Sequence, residues 1–315
     1  MRQAYDLPKR APMQVAALKT ALFACANATG VSGRFASTAW RCRRLLILCY
    51  HGVSLGDEHE WNPTLYISPR TLTRRLDALR RLGCSVLSLS EAIDRLYEKS
   101  LPKRAVVLTF DDGYYDFKTK ALPLLEERSY PATVYVTTER WTGDISIDHL
   151  RTSYMAWRTG RGAPSPCHLR ALSVMTRTEV ADVAARGVGI EMHTHRHRLP
   201  LDVDGLLRDI RLHRDLIAST TGRMPRHLCY PNGIYHTHQV PHLRACGVET
   251  ATTCDPDLAT SSAHPLLLPR FVDCEATSQA IFEAWVMGVA SWVPRRTHVA
   301  HALHRADAYE AARLA

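Results

Sequence analysis

The feature that most restricts the fold of this chain is a set of short segments that are apolar without alternation. They lie in RRLLILCYHGV (43–53), RAVVLTF (104–110), ATVYVTT (132–138) and VGIEMH (188–193). A strand with one wet face alternates apolar and polar residues, whereas a strand covered on both faces does not, and the second pattern belongs to parallel sheets flanked by helices. CSVLSL, RHLCYP, VETATT and LLLPRFV read as further strands.

The intervening segments have helical spacing. In SPRTLTRRLDALRRLG (68–83), Ser68 is placed as N-cap and Pro69 at the first helical position. Leu72, Leu76 and Leu79 share one face, and Gly83 ends the run. Ser88 with Glu91, and Thr176 with Glu179, predict capping boxes for two more helices. Others are expected over about 116–128, 203–221 (Leu206, Ile210 and Ile217 on one side), 237–246 and 277–288. Strand and helix alternate about seven times. This predicts an α/β protein built as a parallel barrel of about seven strands, with its chemistry at the C-terminal ends of the strands.

The barrel is expected over 43–290, with a helical N-terminal extension (1–42) and a basic C-terminal tail (291–315). An insertion at 141–175 loses periodicity and carries Trp141 and Trp157, as long loops that serve as lids or binding surfaces do. The apolar stretch AALKTALFACANA is too short to span a bilayer and is interrupted by Lys19, so it reads as a helix packed on the domain. No transmembrane segment is expected. The net charge of +9 comes with no nucleic-acid-binding motif, which argues against nucleic acid and leaves peripheral contact with an anionic membrane or an acidic polymer as the alternative to a solvated surface. Nine dispersed cysteines with no C-x-x-C exclude a disulfide framework and favour a cytoplasmic location, with an exported or membrane-associated one as the alternative.

His51, Asp111, Asp112 and His193 each follow an apolar strand. Asp111 and Asp112 stand before Gly113, where a sharp turn can bring two adjacent carboxylates into one pocket; such a pair calls for a cation between them. In EMHTHRH (191–197) the histidines fall at every second position. If this segment stays extended, at about 3.3 Å per residue, His193 and His197 lie roughly 13 Å apart and His195 is the partner of His193. If it curls into a helical turn, His193 and His197 come within about 5–6 Å and His195 turns away. Pro200 cannot donate to a strand ladder, which favours the curled form. Two histidines with Asp112 would leave coordination positions open, as hydrolytic metal centres do.

The motifs LCYHGV, LTFDDG, YPATVYV, EMHTHRH, CYPNG and LPRF together resemble the polysaccharide deacetylases of carbohydrate esterase family four, in their exopolysaccharide-type branch, over roughly 43–290. The resemblance implies a distorted (β/α) barrel and metal-dependent hydrolysis of N-acetyl groups on the amino sugars of a poly- or oligosaccharide. Another amide hydrolysis on the same scaffold, such as that of a sugar deformylase or a cyclic-imide hydrolase, is the alternative. It implies Asp111 as general base, and Asp112, His193 and His197 as ligands of a divalent metal, commonly zinc. The chain departs from the family where many members have Arg-Pro-Pro-Tyr-Gly and it has Cys229-Tyr230-Pro231-Asn232-Gly233. Arg270 is the candidate to orient the base in place of the missing arginine, and Tyr230 and Asn232 are candidate substrate contacts. His51 is the candidate general acid, ahead of His236, His238 and His264.

Overall fold

The computed structural model describes residues 13–141 and 173–292. Most of the expected insertion, with Trp157, and the tail from 293 lie outside the described residues.

Three helices, α1 (Met13–Ala28), α2 (Val31–Ala36) and α3 (Ala39–Cys42), precede the barrel. The chain then runs through β1 (Leu46–Tyr50), β2 (Gly52–Val53), α4 (Glu58–Trp61), β3 (Tyr66–Ile67), α5 (Pro69–Arg81), β4 (Ser85–Val86), α6 (Leu89–Tyr97) and β5 (Ala105–Phe110). After α7 (Leu122–Glu126) come β6 (Thr133–Val136), α8 (Arg177–Ala185), β7 (Gly189–Met192), α9 (Val203–Thr221), β8 (His227–Cys229), α10 (Val240–Ala245), β9 (Thr250–Thr252), β10 (Phe271–Val272) and α11 (Gln279–Met287).

The main sheet is parallel throughout, in the order β10-β1-β5-β6-β7-β8-β9, with the short β4 beside the start of β5. It curls into a distorted (β/α) barrel. Leu266–Leu268 lies against β9, where Leu268 N–H donates to Ala251 O at 2.9 Å and Thr253 N–H to Leu268 O at 2.8 Å. Three residues on, Phe271 pairs with Leu48 of β1. The LLLPRFV segment is therefore two short pieces rather than the one strand expected. Pro269 has no N–H to give a ladder, and Arg270 N–H goes to Asp255 O at 3.0 Å.

The period of two along each strand sorts residues between the barrel interior and its helical coat. Leu45, Ile47, Ala105, Val107, Tyr135 and Cys229 form one buried cluster together with Leu89, Ile93 and Leu96 of α6, which packs against the starts of the strands. Leu46, Leu48, Tyr50, Val106, Leu108 and Phe110 point the other way, into the core shared with the surrounding helices. Thr109 and Asp111 are in phase with Ala105 and Val107, so the first carboxylate of the DDG turn is aimed inward by the register of β5.

The helix signals hold with two local differences. Ser68 caps α5, and Thr176 with Glu179 forms the full capping box of α8. Ser88 accepts from Glu91 N–H, but the reciprocal half is absent because the Glu91 carboxylate pairs with Arg95 at 2.9 Å, one turn on. The helix expected over 116–128 begins as a π-turn at Phe117–Ala121 and continues as α7. Pro123 has no N–H for the carbonyl four residues earlier, and the ladder widens ahead of it.

Beneath the barrel, His227 is buried between Ser90 Oγ at 3.0 Å and Thr250 Oγ1 at 2.8 Å. Burial lowers its pKa from 6.5 to about 4. As pH falls below 6.5 the unfolded chain takes up the proton first, so stability is present above 6.5 and is lost on the way down to about 4. From the cost of about 1.4 kcal/mol per pKa unit, His227→Gln should flatten the pH dependence of the unfolding free energy by about 3 kcal/mol between those limits. Denaturant titrations at several pH values check this; an unchanged slope refutes it.

Candidate active site

Asp111 lies inside the barrel and is almost wholly buried. Arg270 grips it with two parallel hydrogen bonds, Nη1 to Oδ1 and Nη2 to Oδ2, both 2.8 Å. The guanidinium is itself buried and also donates to Thr253 O at 3.0 Å, Thr109 Oγ1 at 3.3 Å and Cys229 Sγ at 2.9 Å, and it lies over the Tyr135 ring. The thiols of Cys49 and Cys229 both approach Asp111 Oδ2 at 3.4 Å. Burial pushes both thiols upward in pKa, so they stay protonated and act as donors. Burial alone would raise the Asp111 pKa. The charge and hydrogen bonds of Arg270 overcome it and hold the carboxyl well below its usual range.

Asp112 turns back toward the barrel mouth because it adopts a left-handed conformation (φ 67°), followed by Gly113 (φ 70°). This turn is strapped from outside, with Met175 N–H donating to Gly113 O at 2.8 Å and Tyr115 N–H to Ser173 O at 2.9 Å. The histidine segment does curl, though not as the helical turn expected. Thr194 (φ 63°) and His197 (φ 54°) are both left-handed, and Thr194 Oγ1 accepts from Arg198 N–H at 2.9 Å. The turn brings the His193 and His197 rings to 4.9 Å between centroids. Their Nε2 atoms stand 3.3 and 3.1 Å from the same oxygen, Asp112 Oδ1. A β-branched residue at positive φ is uncommon and costs about 1–3 kcal/mol, strain of the kind stored at functional sites.

The donor set fits a divalent metal. His193 Nδ1 is 2.9 Å from Cys229 O, a group that only accepts, so the proton of the neutral ring sits on Nδ1 and the Nε2 lone pair is bare. That lone pair faces the buried Asp112 Oδ1, which has no hydrogen-bond partner of proper geometry. Lone pairs converging on one point repel unless a cation lies among them. Asp112, His193 and His197 supply the N, N, O set that suits zinc and leaves positions open.

The remaining candidates divide. His51 ends β1 at the same mouth, with Nε2 3.9 Å from Asp111 Oδ2 and a buried Nδ1 that has no hydrogen-bond partner; burial lowers its pKa. Tyr230 is buried, and its hydroxyl donates to Leu266 O at 3.0 Å, so the ring faces the core rather than a substrate, contrary to expectation. Asn232 is exposed just past β8 in a left-handed conformation (φ 56°). His236 and His238 lie against each other, and His264 Nδ1 accepts from Leu266 N–H; none of the three joins the Asp112 cluster.

Sequence reasoning passed over the residues that hold the histidine turn in place. His195 does turn away, to Thr138 Oγ1 at 2.8 Å, and its N–H donates to Asp209 Oδ1 at 3.0 Å. Thr138 Oγ1 is also 2.7 Å from Nδ1 of the buried His213. His213 Nε2 accepts from His193 N–H at 3.2 Å, a donor shared with Val136 O at 3.0 Å. An accepting Nε2 puts the proton of His213 on Nδ1, and burial lowers its pKa to about 3 and keeps it neutral. The direction of the chain is then fixed: His213 Nδ1–H donates to Thr138 Oγ1, whose hydroxyl donates to His195 Nδ1. A signal for His213 was present. It falls in the apolar stripe of α9 with Leu206, Ile210 and Ile217, where a histidine is out of place.

Residues 98–251 match the family model "Polysaccharide deacetylase". The chain carries a polysaccharide deacetylase domain. It is similar to "Putative polysaccharide deacetylase YxkH" of Bacillus subtilis (strain 168), 23% identical over 77% of this chain and 76% of that protein. It is also similar to the poly-β-1,6-N-acetyl-D-glucosamine N-deacetylase of Escherichia coli (strain K12), 32% identical over 139 residues, which are 40% of this chain but only 20% of that longer protein. The fold is that of a Streptococcus pyogenes deacetylase, PplD, solved in complex with acetate, with a TM-score of 0.61 at 20% identity over 80% of this chain and 99% of that one. The domain encloses the DDG turn, the histidine segment and the Thr138–His213 link, whereas His51 and Arg270 reach its site from outside the matched residues.

Thr138→Val, nearly isosteric, cuts the link between His213 and His195. Zinc affinity, measured by competition with a chelating dye, should fall roughly 10- to 100-fold, the usual effect of losing an outer-shell partner, and Thr138→Ser should restore it. Unchanged affinity in the valine variant would show that the turn holds itself.

Proposed function

We propose that this protein is a metal-dependent hydrolase that removes N-acetyl groups from amino-sugar residues of a poly- or oligosaccharide. The observation that carries the reading is the meeting of two assemblies at one barrel mouth. One is the Asp112–His193–His197 cluster, whose donor atoms converge on one point, and the other is an ionised carboxylate, Asp111, facing the same space. The deacetylase domain and the amino-sugar deacetylase among its relatives support this choice of substrate bond.

A divalent ion, zinc by its ligand chemistry, held by Asp112, His193 and His197 would lower the pKa of a water and polarise the amide carbonyl. The rest is the work of the chain's own side chains. Asp111 accepts the proton of the attacking water, and Arg270 fixes the plane of its carboxylate and keeps it ionised. The same grip makes Asp111 a weak base, so its position rather than its basicity carries the step. His51, its Nε2 3.9 Å from Asp111 Oδ2, takes over the proton that Asp111 accepted from the water and delivers it to the departing amine, which leaves both side chains as they began. Asn232, exposed past β8, is the proposed polar contact with the glycan. The carbohydrate is the proposed partner.

Release of acetate from a panel of N-acylated glycans, with and without chelator, tests the reading; release of formate alone would redirect it to a deformylase. Asp112→Ala should lose both bound metal and turnover. Asp111→Asn should keep the metal and lose turnover by at least about 100-fold, and full activity in either variant rejects the assignment.

Arg270 is tested separately. Arg270→Lys cannot make the paired hydrogen bonds. The Asp111 pKa then rises from its depressed value, so the acid limb of the kcat/KM profile should move to higher pH. An unmoved limb would show that Arg270 does not tune the base.

A further inference from the structure

Helix α1 lies on the protein through a mixed face: Thr20 Oγ1 lies 3.3 Å from Ser278 Oγ, and Asn27 Nδ2 donates to Glu283 Oε2 at 3.5 Å, with the buried Phe23 between them in sequence. The opposite face carries Leu18, Ala21, Leu22, Cys25 and Ala28, all exposed and all apolar, at the three- and four-residue spacing of a single stripe. Leu18 is 71% and Leu22 58% exposed. The apolar surface continues onto the rest of the extension. Val31, which opens α2, is 53% exposed, and Trp292 is 66% exposed although its ring packs on Phe35 and Trp40 at 6.0 and 5.5 Å. Single exposed leucines are ordinary on a protein surface, whereas a row of exposed apolar residues along one helix marks a surface that meets a partner.

Charge identifies the partner. From Leu7 to Gly56 the sequence has no acidic residue, while it carries Lys9, Arg10, Lys19, Arg34, Arg41, Arg43 and Arg44. Arg41 is consumed inside the fold by the carbonyls of Arg44, Ala105 and Val286. Arg34 and Arg43 are exposed, and Lys19 and Arg44 are partly so. Among the described residues no helix is long and apolar enough to cross a membrane. An apolar stripe of one helix, an exposed tryptophan and a basic extension with no acidic residue of its own beyond Asp6 are what an anionic bilayer surface binds. We propose that the N-terminal extension docks the protein peripherally onto an anionic lipid surface, with the Leu18–Leu22 face of α1 and Trp292 entering the headgroup layer.

Sedimentation of the full chain with vesicles tests this, using phosphatidylcholine alone and phosphatidylcholine mixed with phosphatidylglycerol. Binding is expected to the mixed vesicles, weakened by salt, and roughly 10-fold stronger than to the neutral ones. The double variant Leu18→Glu/Leu22→Glu should weaken it roughly 100-fold or more, with circular dichroism and turnover of a soluble substrate unchanged. Leu212→Glu, at an exposed leucine elsewhere, should bind as the parent does. Three results would overturn the proposal: no vesicle binding, binding untouched by the double variant, or a self-associated species dissolved by that variant without vesicle binding, which would assign the stripe to a second copy. A loss of melting temperature in the double variant with no vesicle binding by the parent would assign it instead to the chain's own terminal segments, and would equally overturn it.

Discussion

The site depends on one buried ion pair, Arg270 with Asp111, set beside a buried apolar cluster inside the barrel. Taking two charges out of water is costly, and the attraction between them offsets that cost only when geometry and secondary hydrogen bonds are complete. Here they are. The guanidinium meets the carboxylate face to face and spends its other donors on a carbonyl, a hydroxyl and a sulfur. The pair ties the turn after β5 to the loop that enters β10, so the two sides of β1 are pinned across the barrel interior. Removing either partner would leave an uncompensated charge, a loss of about 3–5 kcal/mol, and would loosen the wall that carries His51.

The pair also explains a departure in the sequence. At the end of β8, where the family resemblance leads one to expect an arginine, this chain has Cys229. Its small side chain lets the Arg270 guanidinium approach from the opposite direction, with Cys229 Sγ in contact with both partners. Its carbonyl, meanwhile, sets the tautomer of His193. One residue thus links the base assembly to the metal-ligand assembly, through its side chain on one side and its backbone on the other.

How much of this was legible follows from the range of each signal. The strands and the capped helices were readable because they depend on period and local chemistry, whereas the inward aim of Asp111 emerges only with the register of β5. The convergence of His193 and His197 was readable as an alternative to an extended segment. The means of convergence was not, since left-handed threonine and histidine are disfavoured locally and persist only where distant groups over-determine them. Those groups, Thr138 and His213, stand 57 and 75 residues apart in two measures of the same network, the first from His195 and the second from each other. Period alone marks His213 as a misplaced polar residue, and only the fold says what it faces. Tyr230 shows the converse: a motif position suggested a substrate contact, and the pleat of β8 turned the ring into the core.

His51 shows how closure of the barrel bears on chemistry. The sheet is linear in sequence but nearly circular in space, with β1 bonded to both β5 and β10. A residue at the end of β1 is therefore beside the DDG turn on one side and beside the Arg270 loop on the other. A proton donor for the leaving group can be placed there without any contribution from the late C-terminal segments, provided β10 holds β1 in register at Leu48 and Cys49. The short pairing that follows Arg270 is in this sense part of the site. It fixes the height of β1, and with it the distance from His51 to the carboxylate it works beside.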